Sequence, residues 1–279
     1  MKVLVVDAYN MIHRARFGFG QGEHAIVFNF FRSVKSEIDR HMPDLVYLVS
    51  EGVPQHRLIL NPDYKGQRTP VVEEGFHRQK REIFDLSRSF PLIFMRHPDF
   101  ECDDAIGHIC TSRHTQDEVV IVSSDSDFIQ LLEWDNVSLW NPIRKKFIDR
   151  WPVDYITWKS LKGDPTDNVP GIKGIGEKRA FSLCEDPAVL KSFLEADPTR
   201  QKIFESARAQ IRLADIDQHC KKWEIKPSFF NEALIRNTFT DYQFKSIIGK
   251  AWSKWCTTME RLNDKLQTDI IARTADHSA

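Results

Sequence analysis

Short apolar runs alternate with longer stretches of helical period along the first half of the chain. Lys2-Val3-Leu4-Val5-Val6-Asp7, Leu45-Val46-Tyr47-Leu48-Val49, Pro91-Leu92-Ile93-Phe94-Met95 and Val119-Val120-Ile121-Val122 are continuous and largely β-branched or aromatic. Runs of that length suit strands covered on both faces. Between them, Phe28, Phe30, Phe31, Val34 and Ile38 mark one amphipathic helix, and Phe76, Ile83, Phe84 and Phe90 a second, spanning Glu73 to Phe90. The alternation predicts a parallel sheet with right-handed crossovers. Val137–Trp140 and Phe147-Ile148 predict an edge hairpin, with Lys145 and Lys146 between them. From about Trp151 the strand-like runs cease. Helical period then dominates, over Ile203 to Ile216 and Tyr242 to Ile271, with Trp223, Trp252 and Trp255 as core and fraying from Thr274 onward. The expected fold is α/β, a parallel Rossmann-like sheet flanked by helices over 1–157 and a helical part over 158–279, in one continuous body.

Composition adds exclusions more than identities. At 279 residues, with 41% hydrophobic and 28% charged positions, the chain has the make-up of a soluble globular protein. No apolar run approaches a membrane span, and Met1-Lys2 leads straight into a strand, so no membrane segment or signal peptide is expected and a cytoplasmic location is. The five cysteines are scattered and form no CxxC, as reduced thiols would be. A net charge of −1 announces no polyanionic partner, so the distribution of charge matters more than its total.

That distribution is uneven. Asp7 ends the first strand, Ser50-Glu51-Gly52 follows the second, Glu101-Cys102-Asp103-Asp104 follows the third, and Asp125-Ser126-Asp127 follows the fourth. Singly, each acid is an ordinary helix cap or a complement to a helix dipole, with Ser124 or Asp125 placed to cap a helix over Phe128–Leu132. Together they fall at the carboxyl edge of one sheet, where α/β proteins bind their ligands. Carboxylates crowded there repel and partly protonate unless a cation joins them. With no His or Cys expected in the cluster, hard oxygen donors point to Mg²⁺ or Mn²⁺. Two such ions about 4 Å apart suit in-line phosphodiester cleavage. Asp164 and Asp167 add two more acids, just before Gly171, Gly174 and Gly176. Three glycines in six residues permit a tight hairpin whose N–H groups approach a phosphate, beside a helix N-terminus and Lys173, Lys178 and Arg179. Ile172 and Ile175 would anchor that hairpin to a core. The basic face of Arg78, Lys80 and Arg81 is by itself no more than a solvated surface.

In this order and spacing the chain resembles the 5′-nuclease (flap endonuclease) superfamily, which includes phage 5′-exonucleases and the 5′-nuclease domain of bacterial DNA polymerase I. Asp7 resembles the Asp of the family's first strand, Glu101-Cys-Asp103-Asp104 its Glu-x-Asp-Asp, and Asp125-Ser-Asp127 its Asp-x-Asp. Gly163-Asp164-x-x-Asp167-Asn168 and the glycine run resemble its Gly-Asp-x-x-Asp-Asn and helix–three-turn–helix, here at about 160–185. Tyr64-Lys65-x-x-Arg68 resembles the segment that enters its helical arch, here a short one at about 69–98. One position departs: Ser50 stands where the family has an Asp, so that either Glu51 substitutes through a small shift or one ligand is missing.

The resemblance implies a PIN-like sheet and two Mg²⁺ ions, with Mn²⁺ able to substitute. Asp7, Asp103, Asp104 and Asp125 would hold the first, with Glu101 alongside, and Asp127, Asp164 and Asp167 the second. It implies Lys65 and Arg68 on the scissile phosphate, Arg14 near it, and Tyr64 stacked on a displaced base. Arg78, Lys80 and Arg81 would line a passage for a single strand, and the hairpin would grip duplex backbone with a K⁺ ion on its carbonyls. The implied protein is a monomeric 5′→3′ exonuclease and flap endonuclease acting on flapped, nicked or branched DNA and on RNA–DNA primers. Two other readings stay open at this point: a junction-binding protein with weak or no cleavage, given Ser50–Glu51, and a PIN-like ribonuclease, against which the glycine hairpin argues.

Overall fold

The computed structural model describes every residue except 70, 72, 218, 219 and 277–279. In chain order the first half runs β1 (Lys2–Asp7), α1 (Ala8–Ala15), α2 (Ala25–His41), β2 (Leu45–Val49), α3 (Gln55–Leu60), α4 (Glu74–Ser87) and β3 (Ile93–Arg96). It continues with α5 (Cys102–His108), β4 (Glu118–Val122), β5 (Val137–Asn141) and β6 (Lys146–Phe147). The second half holds α6 (Tyr155–Lys162), β7 (Gly163–Asp164), β8 (Val169–Pro170), α7 (Glu177–Glu185), α8 (Pro187–Glu195) and α9 (Pro198–Ile211). It closes with β9 (Glu224–Pro227), α10 (Glu232–Asp241), α11 (Lys245–Ile248) and α12 (Trp252–Asp276).

Seven strands make one sheet in the order β6-β5-β4-β1-β2-β3-β9. The inner five are parallel, and β6 and β9 add antiparallel edges. Alternate residues of the inner strands face two cores. Leu4, Val6, Val46, Leu48, Val120 and Val122 pack under α1, α2, α4 and the C-terminal helices. Val3, Val5, Leu45, Tyr47, Val49, Val119 and Ile121 pack under α5 and the 3₁₀ turns of Asp127–Glu133. Each fully buried aliphatic side chain contributes about 1.5–3 kcal/mol, so these strands hold the sheet firmly.

Three expectations shift. The helix expected after Asp127 is a 3₁₀ segment. Strand structure does not cease at Trp151, because β9 pairs with β3 from Ile93↔Pro227 to Arg96↔Glu224. The single helix expected over Tyr242 to Ile271 divides into α11 and α12, and α12 continues to Asp276, beyond the expected fraying point; 277–279 lie outside the described residues. No helix among the described residues is long and apolar enough to cross a membrane.

The registers Asp7↔Val49 and Val6↔Val122 bring the ends of β1, β2 and β4 level. The chain runs outward from β1 to β2 and β3, then returns to β4 on the other flank of β1. The carboxyl ends of β1 and β4 thus bound the crevice where strand order reverses, the usual ligand position in such sheets.

Candidate active site

Asp7 closes β1 and is buried. One oxygen accepts from the Asn10 N–H (3.0 Å), which caps α1, and the other from Ser123 Oγ (2.9 Å). Across the crevice, Asp103 projects from the first turn of α5, and the ligand atoms of Asp7, Cys102 and Asp103 lie within 4.8 Å of one another. Asp125 accepts from the Asp127 N–H (2.9 Å) while its charge bears on Asp7 and Asp103. Glu51 reaches in from the end of β2 and accepts from the Cys102 N–H (2.8 Å). Burial, with the charge of Asp125 added, lifts the Asp7 carboxyl to about 6. Burial, with Glu101 and Asp7 nearby, lifts Glu51 to about 7. Asp103 is driven well above its ordinary range by burial and then by Asp125, Asp7 and Glu51. Among the described residues no cation pairs directly with this first group, and the charge of Lys65 offsets Glu51 and Asp103 only in part.

A second group, Asp127, Asp164 and Asp167, also places its ligand atoms within 4.8 Å. Its cations come from the protein. Lys159, buried on α6, pairs with both Asp127 and Asp164, at 2.7 Å from the latter. Burial raises Asp127 to about 6 despite Lys159, whereas Lys159 outweighs burial at Asp164 and holds it below its ordinary value. Asp167 pairs with Arg68, accepts from Tyr64 Oη (3.1 Å) and lies 3.6 Å from Lys65 Nζ. Glu101 accepts from Lys65 Nζ (2.5 Å), Tyr64 Oη (3.0 Å) and Arg57 Nη1 (2.8 Å). Lys65 holds this position with a φ of 56°.

The glycine segment sits beside this second group. Gly163 (φ 78°) and Gly174 (φ 81°) need left-handed backbone, which favours glycine. Gly171 is required differently: a Cβ there would lie 2.2 Å from the Lys162 carbonyl carbon. Gly176 faces open space, and Ile172 and Ile175 are buried among Tyr155, Trp158 and Leu183. Lys173, Gly174, Gly176, Lys178 and Arg179 are exposed. Donors and cations at a helix N-terminus, on a hairpin pinned from beneath, suit a phosphate backbone.

A model of the 5′-3′ exonuclease N-terminal, resolvase-like domain matches residues 2–156. The chain belongs to this exonuclease family. It is 28% identical over 224 residues to the thermostable DNA polymerase I of Thermus thermophilus, covering 75% of this chain and 27% of that protein. With DNA polymerase I of Treponema pallidum it shares 30% identity over 202 residues, 64% of this chain and 20% of that one. The chain thus spans about a quarter of the length of these curated relatives. Flap endonuclease-1 from Methanococcus jannaschii has the same fold, with a TM-score of 0.63, 12% identity, and coverage of 96% of this chain and 93% of that one. The 5′-exonuclease of phage T5, solved with zinc bound, gives 0.60 at 23% identity, covering 76% and 86%.

Within this exonuclease-family fold several expected residues stand elsewhere than sequence placed them. Asp104 is turned from Asp7 and Asp103. Both its oxygens take the guanidinium of Arg57, at 2.6 and 2.8 Å, and it closes a capping box with Glu101. Neighbours on a helix point about 100° apart, so Asp103 and Asp104 cannot share one centre easily. Tyr64 is no open stacking platform; its ring is buried against Val169, Ala207 and Ile211. Arg14 donates to the Pro142 carbonyl (2.9 Å). Within 69–98, expected as an arch, α4 lies on α2 because Phe76, Ile83 and Leu86 bury in the first core, while 70 and 72 lie outside the described residues. There Arg78 pairs with Glu23 and Glu82, Lys80 covers the Tyr9 ring, and Arg81 makes no ion pair among the described residues. Cys102 does belong to the cluster, contrary to expectation. Lys159 and Arg57 were missed as site residues. Lys159 alone left a signal, lying on the same helical stripe as Tyr155 and Trp158, which are buried.

Proposed function

We propose that the chain is a divalent-metal-dependent, structure-specific 5′→3′ exonuclease and flap endonuclease, hydrolysing phosphodiester bonds of flapped, nicked or branched DNA and of RNA–DNA primers. The observation that carries this reading is the pair of carboxylate groups at the switch point of the sheet, next to a pinned glycine hairpin with exposed cations. Structural relatives support it: the bacteriophage T5 flap endonuclease was solved with DNA and metal ions, and human GEN1 with Holliday junction DNA.

The donor set fits hard divalent ions, because buried oxygens deficient in positive charge gain most from Mg²⁺, with Mn²⁺ as substitute. Asp7, Asp103, Asp125 and Glu51 would hold one ion, and Asp127, Asp164 and Asp167 the other. Bound ions of this kind activate water and stabilise the leaving oxygen of an in-line displacement. The chain's own side chains do the remainder. Lys65 and Arg68, held at the rim by Glu101 and Asp167, turn to the scissile phosphate when those acids are otherwise neutralised. Lys159 keeps Asp127 and Asp164 together before the second group is filled. Lys173, Lys178, Arg179 and the N–H groups of Gly174 and Gly176 hold duplex phosphates, with K⁺ on the hairpin carbonyls. Binding is salt-sensitive and sequence-independent, and the acting species is a monomer.

The test is product mapping on a 5′-flap substrate in Mg²⁺. Products that begin inside the duplex beside the junction are expected. Binding without cleavage above an Asp127→Ala control leaves a junction binder, and equal cutting of unstructured single-stranded RNA leaves a ribonuclease.

A further inference from the structure

One stripe of α4 leads from the crevice to a groove at the outer edge of the sheet. Lys80, Phe84 and Arg88 are spaced four residues apart, so they share a line about 12 Å long on that helix and its C-cap. At its near end Lys80 Nζ lies 5.1 Å from the ring of Tyr9, two residues past Asp7. The Phe84 ring follows, 6.1 Å from Tyr9 and 6.1 Å from Phe94. At its far end the stripe borders a groove of about 820 Å³ between α4 and the β3–β9 edge, lined by Phe84, Phe94 and Phe229, with Arg88 and Lys226 on its wall. The registers Leu48↔Phe94 and Phe94↔Lys226 set that lysine beside Phe94. Among the described residues Tyr9, Phe94 and Phe229 join no hydrophobic core, and Phe229 is 45% exposed.

Charge decides what such a groove takes. Its acids are engaged: Glu224 pairs with Arg96 at 2.9 Å, and Glu232 accepts from the Trp252 indole N–H at 3.1 Å. Its cations are not. Lys226 makes no ion pair among the described residues, and Arg88 meets only Asp85, at 3.9 Å between two exposed side chains. Aromatic rings in file with spare cations suit unpaired bases and their phosphates, and stacking of this kind tolerates any sequence. A duplex keeps its base faces stacked on one another and offers these rings nothing. We propose that this surface, from Tyr9 to Phe229, binds the single strand that leaves the crevice on the 5′ side of the scissile phosphate. This deepens the proposed nuclease reading and rests on it. The surface touches no reacting atom, so it adds affinity for a long displaced strand and leaves the rate of the bound complex alone.

The test is single-turnover cleavage in Mg²⁺ over a range of concentrations of the full-length chain, which separates the half-saturating concentration from the maximal rate. One 5′-flap carries a single nucleotide and the other about ten, a span typical of single-strand sites. Arg88→Glu combined with Lys226→Glu is expected to raise the half-saturating concentration about tenfold or more on the long flap and to stay within about twofold on the short one, with maximal rates unchanged. Phe229→Ala, at an exposed ring, is expected to raise it about fivefold on the long flap alone, and that loss should vanish when the flap is abasic. Long-flap binding that withstands the charge reversal, or that is as tight with an abasic strand, overturns the proposal. An equal loss on both flaps also overturns it, because the effect then lies in the fold or the duplex. A parent that sediments as a dimer, dissolved by the charge reversal, puts a second copy of the chain in the groove instead. A parent that cuts neither flap overturns the nuclease reading and this proposal with it.

Discussion

Asp127 and Arg57 are both charged residues at the edge of the crevice, yet replacing them should have opposite consequences. Asp127 belongs to the second carboxylate group and shares Lys159 with Asp164, which keeps that cation paired when Asp127 is lost, so Asp127→Ala should leave 5′-flap affinity within about threefold while cleavage falls about 100-fold or more. Gel-shift and cleavage assays on one substrate check this; a variant that cuts at full rate removes Asp127 from the site. Arg57 is instead a structural cation, enclosed by Glu101 and Asp104. Arg57→Ala strands two buried carboxylates and should cost about 3–5 kcal/mol, read as a lowered urea midpoint at unchanged slope. Arg57→Lys should recover only part, since it lacks the fork that grips both oxygens of Asp104. The acids of both groups were legible in sequence because they follow strand ends. Arg57 was not, because an arginine on a short helix looks the same in sequence whether it faces water or two carboxylates. Asp104 was misplaced for a related reason: side-chain direction on a first helical turn depends on what lies opposite.

Among the elements, the glycine hairpin separates sterics from contact. Gly171→Ala forces the Lys162 and Gly163 backbone apart and should destabilise the fold by about 1–3 kcal/mol while weakening duplex binding. Gly176→Ala meets open space and should stay within about 0.5 kcal/mol of the parent in thermal denaturation. Equal effects at both positions would mean that the hairpin is set by something other than the close approach at Gly171. Four of the five inner strands, β1 to β4, were readable because burial on both faces demands unbroken apolar runs, whereas β5, interrupted by Ser138, was read as part of an edge hairpin. β9 was not, since Glu224-Ile225-Lys226-Pro227 is a polar edge strand ending in proline, made a strand only by pairing with β3. The segment holding α4 was expected to be an arch from the resemblance of Tyr64-Lys65-x-x-Arg68 before it, but the stripe of Phe76, Ile83 and Leu86 lays α4 on the first core.

Across the whole molecule the crowded acids set a pH dependence. In metal-free protein Asp7 and Asp127 rise from 3.8 to about 6 and Glu51 from 4.5 to about 7. The folded chain therefore keeps protons that the unfolded chain has already released. Their favourable contribution is complete below about pH 4 and is lost as pH rises through about 6 to 7. The melting temperature without metal should fall between about pH 5 and pH 8, and saturating Mg²⁺ should reverse the trend by favouring the deprotonated acids. A metal-free melting temperature that climbs across that window would contradict burial among like charges. The sheet's outer edge carries a consequence of another kind. Arg96 on β3 waits 128 residues for its partner Glu224 on β9, and the core beneath α2 lacks Ile235, Phe239 and Trp255 until α10 and α12 exist. On the ribosome the α/β half therefore emerges with one strand edge bare and one core face open, a state prone to pairing with other chains. Ribosome-bound chains halted before residue 224 should accordingly be sticky and protease-sensitive, and the sheet becomes a finished object only as the residues beyond it leave the tunnel.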